Sequence, residues 1–331
     1  MTIAAALNKA HRQLMKADPK IIVIGEDIVG GAGLGGKELG GVFGVTAGLA
    51  DDFGKARVID TPISETAFVG MAVGTAMTGL KPIVEVMFCD FMGVCFDQIF
   101  NQAAKARFLS NDRVDMPLVI RTTMGAGDGS GAMHSQTLHG LLASIPGLEV
   151  VCPSTPGDAA GLLKSAVASA NPVVMLEHKG LYGENAEIDP ELPPIPLGKG
   201  RIVNEGGDIT VVAVSAMVKL CEEAAKKLAS RGIGVELIDP RSAQPLDTDI
   251  ILKSVEKTRR LLVVDEGPLF GGFADQVIAA MATNGYQLLR TAPQKLTPPQ
   301  TPVPYGRLLE AGWLVDETAV IQKIDEMLYE N

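Results

Sequence analysis

Short runs of aliphatic and β-branched residues recur along the chain, separated by longer stretches in which apolar positions return every three or four residues. The runs at 21–24, 82–86, 118–121, 148–152, 173–176, 209–214, 235–238 and 261–264 read as strands. They are apolar almost without a break, the pattern of strands covered by helices on both faces. Helices are predicted near 66–80, 93–109, 156–170, 216–231, 247–257 and 271–283, and a last one closes the chain near 316–329. At the N-terminus Ile3, Leu7, Ala10 and Leu14 fall on one helical face, with Lys9, Arg12 and Lys16 elsewhere. Strand–helix alternation of this kind predicts the α/β class, with two α/β domains built on mostly parallel sheets.

A length of 331 residues fits two domains of roughly 100–200 residues each. The composition breaks where Pro190, Pro193, Pro194 and Pro196 crowd one segment; proline fixes its own φ and cannot continue a helix. The expected division is therefore 1–188, a proline-rich linker at 189–200, and 201–331. The net charge of −10 argues against nucleic acid, whose phosphates require a basic surface. Cys89, Cys95, Cys152 and Cys221 form no CxxC pair and sit mostly in apolar runs. They read as reduced, buried thiols of a cytoplasmic protein, neither a disulfide framework nor a zinc site. No apolar run reaches the ~18–20 residues that span a bilayer, and no membrane partner is expected.

The glycine-rich stretch 30–41 suggests a phosphate loop, but no convincing helix follows it and it lacks Gly-Lys-Ser/Thr; a surface loop is the simpler reading. Gly127-Asp128-Gly129 matches the start of a diphosphate and magnesium motif, yet the window 25–30 residues later holds no Asn, and no metal site is assigned. Glu65 precedes a stretch, 67–80, without a single charge, and Thr61-Pro62 makes a plausible helix start. A helix apolar all round must be buried. Glu65 is then either a desolvated acid–base group at its mouth or a partner of the helix dipole. His134 follows the Gly/Ala/Ser-rich loop 125–132 after a strand end, where open α/β sheets hold ligands; a satisfied structural histidine is the alternative. His11 is expected to be solvated, and His178 at a strand end is open to either reading. Met87, Phe88 and Phe91 read as core or as the wall of a planar ring.

Several stretches, in order, resemble the beta subunits of the thiamine-dependent pyruvate, branched-chain 2-oxo-acid and acetoin dehydrogenases. They are Gly25-Glu26-Asp27, Asp60-Thr61-Pro62-Ile63-Ser64-Glu65, Phe96-Asp97-Gln98-Ile99, His134-Ser135-Gln136, Pro146-Gly147-Leu148, Asn171-Pro172 and Thr301-Pro302-Val303-Pro304-Tyr305. The resemblance implies a transketolase-like pyrimidine-binding domain followed by a transketolase C-terminal-like domain. It implies thiamine diphosphate as cofactor, with the magnesium and diphosphate held by an alpha subunit in an alpha2beta2 heterotetramer. Glu65 then bonds the pyrimidine nitrogen, Ile63, Met87 and Phe91 contact the cofactor, and His134 assists acyl transfer. The acceptor is the lipoyl domain of a dihydrolipoyl acyltransferase core. Gly40–Thr46, Met87–Phe96, Glu177-His178-Lys179 and Ile238-Asp239-Pro240-Arg241 resemble the acetoin type most; the pyruvate type, a single-chain transketolase-like enzyme and a non-catalytic assembly subunit are the rivals. Met133, where Gln is frequent, and Ser169, where a potassium-binding Asp is frequent, depart from the pattern.

Overall fold

The computed structural model describes residues 1–30, 40–189 and 191–329. Most of the glycine-rich stretch, 31–39, lies outside the described residues. The chain forms two compact units, Met1–Met124 with Ser144–Leu197, and Gly125–Ala143 with Gly198–Asn331. Residues 125–143 are thus an excursion that belongs to the second unit, although they interrupt the first in sequence.

The first unit begins with α1 (Ile3–Ala17), whose N-terminus Thr2 caps by accepting from the Ala5 N–H at 3.2 Å. There follow β1 (Ile21–Glu26), α2 (Leu49–Phe53), β2 (Val58–Thr61), α3 (Glu65–Met77), β3 (Lys81–Phe88), α4 (Ala106–Leu109) and β4 (Val119–Met124). After the excursion, which carries α5 (His139–Ala143), come β5 (Glu149–Val151), α6 (Pro156–Ala168) and β6 (Val173–His178). The strands lie in the order β5-β6-β4-β3-β1-β2, and each of these pairs is parallel. Every residue of β1, β4 and β6 is buried, as continuous apolar runs between helical layers require.

The second unit contains β7 (Arg201–Asn204), β8 (Ile209–Ala213), α7 (Ala216–Ala229), β9 (Val235–Asp239), β10 (Ser242–Gln244), α8 (Thr248–Thr258), β11 (Leu261–Val264), α9 (Phe273–Asn284), β12 (Gln294–Leu296), α10 (Arg307–Trp313) and α11 (Glu317–Tyr329). Its sheet runs β12-β11-β8-β9-β7, parallel except for the antiparallel edge strand β7. Ile209, Val211 and Ala213 pack with Cys221 and Leu228 of α7 and with Val320 and Ile324 of α11.

Four expectations change. The helix expected at 93–109 is broken into a 3-10 turn (Cys89–Gly93), a π-helix (Gln98–Ala103) and α4. Ile99 and Ala103 of the π turn are buried. The helix after Thr61-Pro62 starts at Glu65 instead, with Ser64 as its N-cap, because Thr61 still belongs to β2. That helix is not buried all round: Met71 and Met77 are 41% and 52% exposed, and nothing approaches the Cα hydrogen face of Gly74. A helix lying on one sheet face buries only the side toward the sheet. His11 is fully buried, not solvated, because α1 turns it inward, where its Nδ1–H donates to the Leu7 carbonyl at 2.7 Å.

Candidate active site

In the first sheet the chain leaves β1 toward β2 on one side and returns to β3 on the other. Open α/β sheets bind ligands beyond the C-terminal ends of strands at such a reversal. Glu26 ends β1, Met87 and Phe88 end β3, and Glu65 opens α3. Both carboxylates are buried, at 7% exposure each. Burial, then the negative charges of Glu65 and Asp27, push the Glu26 carboxyl above its ordinary pKa. Its Oε2 is buried and has no hydrogen-bond partner among the described residues. Burial and the Glu65 charge together push the Cys95 thiol up to about 12. Glu65 is thus felt by two buried groups. The Thr66 hydroxyl, donating to the Val94 carbonyl at 2.7 Å, ties the start of α3 to the segment that carries Phe91.

The apolar side of this region is ordered by aromatic packing. Phe91 meets Phe88 edge-on at 5.4 Å, and Phe88 meets Phe43 edge-on at 6.0 Å. Met87 is buried, and its carbonyl accepts from Thr123 Oγ1 at 2.7 Å. Ile63 stands 78% exposed just before α3. Glu65, Ile63, Met87 and Phe91 therefore all fall in the first unit, while His134 falls in the second.

A buried ionic network crosses the same sheet. Arg121 on β4 donates to Glu85 on β3 at 2.7 Å and, in two-pronged fashion, to Glu177 on β6 at 2.7 and 2.6 Å. Tyr182 donates to Glu177 as well. Burial raises the pKa of Glu85 against the pull of Arg121. Sequence reading gave Glu85 and Arg121 no role, although a single charge in an apolar run was an available signal; Glu177 was visible only within the resembling stretch Glu177-His178-Lys179. Glu26 was visible only as part of a resembling stretch.

In the second unit the excursion leaves β4 through Gly125 and Gly127, both in the left-handed half of backbone space (φ 93° and 118°). Gly129 donates its N–H to Glu310 at 2.7 Å, and Ser130 donates its own to Asp128 at 3.1 Å. This engages Gly127-Asp128-Gly129 within the fold. His134 is half-buried, next to the 72% exposed Met133. Beyond it, buried His139 contacts Asp265 at 2.8 Å through Nε2. Although burial pulls the His139 imidazole down, Asp265 and Glu266 hold it above its ordinary value. Burial likewise pushes Asp265 up, and His139 with two backbone N–H groups outweighs it, leaving that carboxyl below the usual range. The two directions agree on an ion pair. Sequence reading did not single out His139.

At the turn before β6, Ser169 and Asn171 bond the Glu149 carboxylate at 2.8 and 3.3 Å, and Arg107 donates to Asn171 at 2.7 Å. Among the described residues no group of acids, cysteines and histidines is placed to hold a metal ion. No described helix is long and apolar enough to cross a membrane, and all four cysteines are buried and form no disulfide among the described residues.

Residues 1–185 match the transketolase pyrimidine binding domain and residues 198–320 the transketolase C-terminal domain. The chain is 43% identical over its full length to the beta subunit of the acetoin:2,6-dichlorophenolindophenol oxidoreductase of Bacillus subtilis, covering 98% of that protein. It is 47% identical, over 94% of its length and 92% of the relative's, to the corresponding Cupriavidus necator subunit. Identity to the pyruvate dehydrogenase E1 beta subunit of Rickettsia conorii is 39%, over 99% of this chain and 98% of that one. A split-gene transketolase solved as an inactive beta4 tetramer superposes with a TM-score of 0.79 at 22% identity, over 99% of this chain and 98% of that one. Two consecutive domain matches and full-length relatives at this identity leave one assignment: the chain belongs to the transketolase-like family of beta subunits of thiamine-diphosphate-dependent acetoin and 2-oxo-acid dehydrogenases.

Proposed function

We propose that this chain supplies the pyrimidine side of a thiamine diphosphate site in an alpha2beta2 dehydrogenase that cleaves acetoin. The observation that carries the reading is the pair of buried carboxylates, Glu65 and Glu26, at the sheet reversal, the second with an unsatisfied oxygen. A buried oxygen without a partner calls for an explanation, and a bound hydrogen-bond donor supplies one. An aminopyrimidine, apolar on its faces and rich in N–H at its edge, fits a site edged by these acids and ordered by Met87, Phe88 and Phe91. Thiamine diphosphate, when bound, supplies the electron sink for breaking a bond next to a carbonyl.

In this reading Glu65 holds a proton toward the pyrimidine ring nitrogen, and Ile63, Met87 and Phe91 bear on the ring. The alpha subunit grips magnesium and diphosphate; the Gly127-Asp128-Gly129 segment is engaged elsewhere, with Glu310 and Ser130. His134 serves the last step, on the lipoyl domain of a dihydrolipoyl acyltransferase. There the lipoyl S–S bond breaks, and one sulfur forms the bond to the acyl carbon. The other sulfur leaves as thiolate and takes up a proton from the imidazole. The two electrons that reduce the disulfide are those lost as the aldehyde-level carbon fragment becomes the acyl group. Identity of 43% and 47% to acetoin-type subunits, against 39% for the pyruvate type, favours acetoin, with pyruvate as the second reading. Four reduced, buried thiols are in keeping with a reducing, cytoplasmic setting.

Glu65→Gln, assembled with the alpha subunit, is expected to lose exchange of the thiazolium proton, followed by NMR in deuterated buffer. Exchange at the unaltered rate would remove Glu65 from the mechanism. Acetoin, pyruvate and branched-chain 2-oxo acids compared on the unaltered complex decide the substrate. Titration calorimetry should show the cofactor bound by the complex and not by this chain alone; tight binding by the single chain would overturn the shared site.

A further inference from the structure

The excursion that carries His134 is fastened at several points, most of them to one short stretch of chain. Asp265 and Glu266 directly follow β11, at the C-terminal end of a central strand of the second sheet. Glu266 accepts the Ala126 N–H at 2.6 Å through its carboxylate, and through its backbone carbonyl accepts the Thr137 hydroxyl at 3.0 Å. Asp265 takes His139 at 2.8 Å. Gln276 on α9 adds a bond to the Gly140 carbonyl at 2.7 Å. The loop is therefore gripped before His134, at Ala126, and after it, at Thr137, His139 and Gly140. Inside the loop Gly125 donates to the Gln136 carbonyl at 3.0 Å, closing its neck.

The grip is strongest where it is buried. Asp265 and His139 are 0% and 1% exposed, so their bond acts without competition from water. The Nδ1 of His139 meets no hydrogen-bond partner among the described residues, which leaves Asp265 to fix the ring. A cleft of about 330 Å³ lies along the loop between Ser135, Gln136 and Thr137 on one side and Glu266, Pro302 and Trp313 on the other. A segment bordering open space is held by its fastenings, not by packing on all sides.

We propose that Asp265, acting through His139, and Glu266, acting through Ala126 and Thr137, are positioning residues that hold His134 for acyl transfer to the lipoyl group. The inference rests on the role given to His134 above. The fastening is expected to bear on the transfer step alone. A misplacement of about 1 Å at a reacting group costs on the order of a hundredfold. Loosening one of several fastenings is expected to cost less, roughly tenfold.

The test uses the complete complex and two oxidants for the same carbon fragment: the dye 2,6-dichlorophenolindophenol, which takes up the electrons alone and bypasses the lipoyl group, and an isolated lipoyl domain, which takes up both the electrons and the acyl group. His139→Leu is expected to depress lipoyl acylation roughly tenfold and leave dye reduction unchanged. His139→Gln, whose amide N–H replaces the imidazole Nε2–H toward Asp265, should restore most of the loss. Thr137→Val is a milder cut of the same clamp, informative even if His139→Leu fails to fold, and it should lower the acylation-to-dye ratio in the same direction. Equal falls in both reactions would reveal a merely structural contact and overturn the proposal. Unchanged acylation in both His139→Leu and Thr137→Val would overturn it too. His134→Ala, run in parallel, must itself depress lipoyl acylation. If it does while the clamp variants do not, the positioning fails and the role of His134 stands; if His134→Ala has no effect, both fall.

Discussion

At the residue scale the strongest effects come from polar groups placed where water cannot follow. His11 shows the sign most clearly. Burial first, and then the positive charge of Arg121, lower its pKa to about 3, against a smaller opposing pull from the Leu7 carbonyl. The folded chain keeps the ring neutral, while the unfolded chain protonates it near pH 6.5. Below that value the unfolded state binds the extra proton, so stability falls as the pH drops. From pH 7 to pH 5 this one group should cost about 2 kcal/mol. Urea unfolding of His11→Asn, whose amide can still donate to Leu7, should show a shallower acid slope than the unaltered chain. Parallel slopes would mean that water reaches the ring. The sequence placed His11 on the right helix and on the wrong face, because one turn of a helix does not say how wide its buried stripe will be.

At the scale of elements, caps and breaks were partly written in the chain. Thr155 precedes Pro156, and the structure uses both: the Thr155 hydroxyl accepts the Asp158 N–H at 3.1 Å and proline fills the first helical turn of α6. Thr155→Ala is expected to lower stability by about 1 kcal/mol, read as a shift of the urea midpoint without a change in slope. An unshifted midpoint would mean that solvent caps this helix equally well. The segment 93–109 was harder to read. Its apolar spacing suits one helix, and nothing in that spacing announces the π turn at Gln98–Ala103. The short strands β2, β7, β10 and β12 escaped notice for a related reason: strands of three or four residues give too few positions for a period to register.

At the scale of the whole molecule, α3 links fold to assembly. One side of it buries Phe68, Val69, Ala72, Val73 and Ala76, while Met71, Gly74 and Met77 face outward. Cover of that outward side by another subunit, as in an alpha2beta2 assembly, would complete the burial that the uncharged run predicted. Met71→Lys should leave the urea stability of the isolated chain within about 0.5 kcal/mol. It should also shift the reconstituted complex toward smaller species in sedimentation velocity. An unchanged sedimentation profile would place that face in solvent.

The sequence by itself determined the α/β class, the two-lobed plan and the family, because apolar runs set strand burial locally and motif order survives without coordinates. It also singled out Glu65 and His134, whose neighbours in the chain are unusual enough to notice. Tertiary structure alone decided that Glu26 joins Glu65, that Arg121 binds Glu85 and Glu177, and that Asp265 and Glu266 hold the His134 loop. Each of these pairings spans tens of residues or more, and their energies depend on distance and burial, quantities that exist only once the sheets are assembled.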